Sequence, residues 1–159
     1  MPKVLIVYYS ETGNTKEMAE LIAEGVRMEK DVEVEVKAVQ DTKVEELLDF
    51  DGIVIGSPTY YGSMAAEIKK LIDDSVKFHG ELEGKVGGAF SSSGGIAGGN
   101  ETTIMDILQA LLIHGMVVQG TPNGDHYGPV AVKKPDDRSI NSCREYGHRI
   151  AKLVLKTAA

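Results

Sequence analysis

Apolar residues in this chain come in short runs, separated by stretches whose apolar positions repeat at helical spacing. Val4-Leu5-Ile6-Val7-Tyr8-Tyr9 is rich in β-branched and aromatic side chains and has the length of a strand covered on both faces. It gives way to Ser10-Glu11-Thr12-Gly13-Asn14-Thr15, after which Met18, Ala19, Leu21, Ile22 and Val26 mark one face of a helix. Further strand signals fall at 32–39, 53–56, 86–90 and 116–119. In the first of these, Val32-Glu33-Val34-Glu35-Val36-Lys37 alternates strictly, which predicts an edge strand with one wet face. The others are continuous apolar runs, as central parallel strands require. Helical patterns occupy 44–48, 64–74, 101–113 and 139–156, and the weakly patterned 122–135 reads as a loop holding an extended piece at 130–132. Strand and helix alternating at this length predict one α/β domain over residues 1–159, with helices on both faces of a parallel sheet and right-handed crossovers.

Open α/β sheets bind ligands beyond the carboxyl ends of their strands, so the segment after each strand is where chemistry is expected. The first such segment offers the hydroxyls of Ser10, Thr12 and Thr15 at a helix start, where free N–H groups and the helix dipole attract an anion. It contains no Lys or Arg, which suits a terminal phosphate monoester better than a triphosphate undergoing transfer. After the third strand comes Ser57-Pro58-Thr59-Tyr60-Tyr61-Gly62-Ser63: Pro58 stiffens it, and Tyr60 and Tyr61 offer faces for a planar heterocycle. After the fourth comes Ser91-Ser92-Ser93-Gly94-Gly95-Ile96-Ala97-Gly98-Gly99, whose glycines let backbone donors approach a ligand edge. Residues 121–127, ending at Tyr127, follow the fifth. Singly, each segment also reads as an ordinary cap or turn. Together they describe a site for a mononucleotide with a large flat ring.

Composition narrows the alternatives. The 159 residues carry 17 basic and 24 acidic side chains, a formal charge of −7 that disfavours nucleic acid and favours a basic protein partner. No apolar run is long enough to cross a bilayer and no signal-peptide pattern is present, so the expected location is cytoplasmic. The single Cys143 excludes an internal disulfide, and His79, His114, His126 and His148 lack metal-ligand spacing, so no metal is expected. Neither the dinucleotide-binding G-x-G-x-x-G nor the P-loop G-x-x-x-x-G-K-[ST] follows a strand.

Ser10-Glu11-Thr12-Gly13-Asn14-Thr15 resembles the FMN phosphate loop of the flavodoxin family at every position of its [ST]-x-T-G-x-T pattern. The likeness continues through Ser57-Pro58-Thr59-Tyr60-Tyr61-Gly62, similar to the loop flanking the isoalloxazine, and Phe90-Ser91-Ser92-Ser93-Gly94-Gly95, similar to the loop at its pyrimidine edge. His114-Gly115-Met116 and the glycine-rich 94–99 are most similar to the tryptophan-repressor-binding-protein branch of NAD(P)H:quinone oxidoreductases. The resemblance implies a flavodoxin-like three-layer α/β/α sandwich with a parallel five-stranded sheet of order 2-1-3-4-5, and FMN as cofactor. It implies that His114 lies close to the flavin, and that a peptide near Tyr61–Gly62 turns to meet the ring nitrogen N5 on reduction. The chain passes quickly from Val39 to Ile53 and from Thr121 to Val130, where the quinone-reductase branch carries the longer segments that build its tetramer. The expectation is therefore a low-potential electron carrier, monomeric or dimeric, that exchanges electrons with redox proteins. An NAD(P)H:quinone oxidoreductase is the alternative.

Overall fold

In the computed structural model, which describes residues 1–159, the buried opening run forms β1 (Lys3–Tyr8). It lies between β2 (Glu33–Ala38) and β3 (Gly52–Tyr60), parallel to both. Val4 and Ile6 pack to one side with α1 (Asn14–Val26) and α4 (Asp137–Thr157). Leu5 and Val7 pack to the other with α2 (Ala66–Asp74) and α3 (Asn100–Ile113). A strand buried on both faces cannot alternate with polar residues, which is why the run is continuously apolar. β2 pairs only with β1 and keeps Glu33 and Glu35 exposed, as its alternation predicts.

β3 pairs in parallel with β5 (Val86–Ser93), and the short β4 (Ser63–Met64) folds back antiparallel on the end of β3. The sheet runs β2-β1-β3-β5-β6 (Val117–Val118), so its five parallel positions follow the 2-1-3-4-5 order. The fifth position is split. β6 pairs with Val86 and Gly87 at the amino half of β5. β7 (Val130–Val132) pairs with Ser91, Ser92 and Ser93 at its carboxyl half. The strand expected at 116–119 thus shrinks to two residues, and the piece at 130–132 resumes its place. Gly120, Pro122, Asn123 and Gly124, all turn formers, carry the intervening chain out of the ladder.

Two other elements depart from the pattern. The segment at 44–48 is a 3₁₀ turn over Val44–Asp49 rather than an α-helix. β3 and β5 outrun their apolar stretches, because Ser57 and Pro58 still pair with Ser91 and Ser92. Apolar content marks where a strand is buried, whereas pairing depends on the backbone of its neighbour. α1 is seated against α4 at close range: a Cβ on Gly147 would come within 1.9 Å of the Ile22 carbonyl oxygen. Only glycine lets these two helices approach so closely, and the contact falls in the C-terminal half of α1.

Candidate functional site

The hydroxyl loop leads into α1 at Gly13, whose φ of +102° is one that L side chains rarely adopt. Nothing lies within 4 Å of where its Cβ would stand, so it is the backbone angle that requires glycine here. The Ser10 hydroxyl accepts the Gly13 N–H at 3.1 Å and tightens the loop. No side chain caps α1. Its first backbone bond runs from the Glu17 N–H to the Gly13 carbonyl at 3.0 Å, which leaves the amides of Asn14, Thr15 and Lys16 without helical partners. These donors, at the positive end of the dipole, are what a phosphate dianion needs.

The loop opens on a cleft of about 310 Å³ at the carboxyl edge of the sheet. Ser10, Thr12, Asn14 and Thr15 line one side, Pro58, Thr59 and Tyr60 another, and Ser92, Ser93 and Gly94 the floor. Thr15 is 1% exposed, and its hydroxyl shares a 2.9 Å hydrogen bond with that of Ser92, tying the start of α1 to the end of β5. Ser91 is turned away from the cleft: its hydroxyl donates to the Ser57 carbonyl at 2.8 Å and shares a bond with Thr59 at 2.9 Å. The serines read as a ligand loop are therefore the last residues of β5, and Ser91 is a brace between strands.

Next to the cleft, the loop after β3 touches the loop after β5. A Cβ on Gly99 would lie 2.7 Å from the Gly62 Cα, and the Thr102 hydroxyl donates to the Gly62 carbonyl at 2.6 Å. Tyr61, with φ of +50°, is fully exposed at this junction, and Ile96 is 90% exposed on the facing loop. Large apolar side chains held out in solvent beside such a cleft are what a flat ring would cover. Gly95 belongs to the same loop and does not line the cleft.

Two charged residues that sequence reasoning passed over also line the cleft. Glu11 accepts a hydrogen bond from the Tyr60 hydroxyl at 2.9 Å. Burial, followed by this bond and the Glu11 charge, pushes the Tyr60 phenol up to about 12. Glu67 raises the neighbouring Tyr9 in the same direction, so the rim here is acidic. Lys133, directly after β7, is the second. No motif signals it, because the interrupted fifth strand alone brings it to the rim.

Two predicted residues lie elsewhere. His114 follows the C-terminal end of α3, at the amino edge of the sheet and remote from the cleft. It is 8% exposed, its Nε2 shares a 2.8 Å bond with the Ser75 hydroxyl, and its buried Nδ1 has no partner. α3 runs antiparallel to the strands, so a residue at its end cannot reach a ligand at its beginning. Burial, and then the nearby His79, lower the His114 pKa. Tyr127 stands half-exposed on the β6–β7 excursion with its ring edge toward His126, and it does not line the cleft. Cys143 is fully buried, and desolvation pushes its thiol up to about 12, which leaves it unreactive.

Fold and cleft define a class: an open parallel sheet with a mononucleotide-sized site ahead of its first helix. Comparison with known proteins agrees. The profile of the family described as NADPH-dependent FMN reductase matches residues 2–125. A flavodoxin of Aquifex aeolicus is 42% identical, over 97% of this chain and 88% of its own. An NAD(P)H dehydrogenase (quinone) of Archaeoglobus fulgidus is 32% identical, over 98% of this chain and 99% of its own. The solved structure of a flavodoxin from the domain Archaea superposes with a TM-score of 0.80 at 33% identity, covering 96% of this chain and 99% of that one. The chain belongs to the flavodoxin family. Its match to the quinone dehydrogenase runs over 190 positions, against 162 for the Aquifex flavodoxin, so the dehydrogenase carries residues that this 159-residue chain lacks.

Proposed function

We propose that the chain is a cytoplasmic, single-domain electron carrier that holds FMN in the cleft and passes electrons between redox proteins. The observation that carries this reading is the uncapped start of α1, opening on a cleft of about 310 Å³ beside exposed Tyr61 and Ile96. The residues present fit the group: free amides and hydroxyls suit the phosphate, and exposed Tyr61 and Ile96 beside the cleft suit the ring. FMN would supply the redox chemistry, since no side chain here exchanges electrons.

The protein's part is to bind, orient and set the field. Ser10, Thr12, Asn14 and Thr15 would hold the phosphate, with the amides at the start of α1. Thr59, Ser92 and Ser93 would meet the ribityl chain, and Tyr60, Tyr61, Gly62 and the backbone of Gly94 and Gly95 would flank the ring. Glu11 and Glu67 create a negative field at the rim, which opposes further negative charge on a bound ring and keeps its potential low. The same field, with the overall charge of −7, would draw basic redox partners.

The Archaeoglobus relative and the FMN reductase family profile support a second reading, an NAD(P)H:quinone oxidoreductase. Two measurements test these readings. The full chain incubated with FMN is expected to turn yellow and keep the flavin through gel filtration; protein that stays colourless would refute both. Steady-state oxidation of NADPH or NADH with benzoquinone separates them, because fast turnover at low protein concentration would reject the carrier.

A further inference from the structure

Resting on the reading that the cleft holds FMN, we propose that Lys133 is the counter-charge for its phosphate and makes the site prefer the phosphorylated flavin. Glu11 and Lys133 are the only charged residues lining the cleft. Without Lys133 the cleft would offer a dianion one fixed negative charge in a chain already at −7. The Lys133 ammonium pairs with no carboxylate of its own chain. Glu11, by contrast, is already engaged by the Tyr60 hydroxyl.

The backbone shows that this placement is imposed. Lys133 has φ of +61°, a left-handed conformation costly for a residue with a side chain. It is pinned there by β7, whose Val132 pairs with Ser93, and by the Lys133 N–H bond to the Ser93 carbonyl at 2.7 Å. Ser93 is itself on the cleft floor, so the β5–β7 pairing holds the cation at the rim. A glycine would take this angle at lower cost. A lysine here is explained by its charge.

The test is the dissociation constant of flavin-free full chain for FMN and for riboflavin, which differ only in the phosphate, read by quenching of flavin fluorescence. The wild type should prefer FMN over riboflavin. Lys133→Met should weaken FMN binding about fivefold at low ionic strength, the scale of a solvent-exposed ion pair, and leave riboflavin unchanged. In about 1 M salt the difference between wild type and variant should vanish. Lys133→Arg should keep FMN binding at the wild-type level, and Lys133→Gly should weaken it about as much as Lys133→Met even though glycine suits the backbone angle. Three outcomes would overturn the proposal: FMN binding unaffected by Lys133→Met, equal weakening of both flavins, or full retention by Lys133→Gly. A wild type that binds neither flavin, or binds FMN no better than riboflavin, would instead defeat the FMN reading itself and this proposal with it.

Discussion

On the α1 side of the cleft, Thr15 and Ser92 are 1% and 5% exposed and bonded to one another, at the start of a helix whose C-terminal half packs against α4. On the side where the β3 and β5 loops meet, Tyr61 and Ile96 stand in solvent, Tyr61 and Ala97 hold positive φ angles, and one hydroxyl, that of Thr102, bridges the loops. The difference separates two tasks. An anion is gripped by donors fixed before it arrives, so the α1 side is anchored by the buried Thr15–Ser92 bond while its first amides stay free. A ring whose charge changes needs surroundings able to adjust, and the loop side supplies few contacts to break.

Gly147→Ala tests the rigid side most severely. Its methyl would strike the Ile22 carbonyl, so stability in chemical denaturation should fall by about 3 kcal/mol, and displacement of α1 should weaken FMN binding as well. Unchanged FMN affinity in a destabilised variant would show that the helix start does not depend on α4.

Thr15→Val removes a buried hydroxyl at nearly constant volume and leaves that of Ser92 unpaired, at a cost of about 1–2 kcal/mol. FMN affinity should fall with it. Thr102→Val acts on the exposed loops, so the expected loss of stability is smaller, about 0.5 kcal/mol. Here the informative reading is a redox titration: freeing the Gly62 carbonyl should shift the flavin midpoint potentials while the preference for FMN over riboflavin stays constant. If Thr102→Val changed that preference and left the potentials alone, the division of tasks would be wrong.

The smallest effect on the cofactor belongs to His114→Gln, which should leave FMN affinity unchanged because the residue lies at the opposite edge of the sheet. It should alter the pH profile of stability instead. The folded pKa of His114 lies below its ordinary 6.5, so the unfolded chain takes up a proton first as pH falls. The contribution of the neutral imidazole is complete above pH 6.5 and is lost as pH drops through the folded value. Denaturation midpoints measured from pH 7.5 to 5 should therefore fall more steeply for the wild type than for His114→Gln.

The frame of the molecule and the phosphate loop were legible because each is written in contiguous residues. A doubly buried strand, a loop of hydroxyls and a helix face follow one another within residues 4–26, and the structure joins them as that order implies. The ends of β3 and β5 were less legible, since Ser57 and Ser91 are buried through partners on a neighbouring strand and not through their own hydrophobicity. The sequence already put His114 directly after the helix predicted over 101–113, and its nearness to the flavin came from family resemblance alone; the structure sets that helix end at the amino edge of the sheet, away from the cleft.

By itself the sequence determined the alternation of strand and helix, the two-faced burial of the sheet and the anion-seeking loop, all of which depend on neighbours a few residues apart. Only the tertiary structure decided that the fifth strand is broken in two, that Lys133 rather than Tyr127 reaches the cleft, and that Gly147 seats the helix whose amides form it. Those outcomes depend on backbone pairing and close approach between segments far apart in the chain, and no local pattern of side chains encodes them.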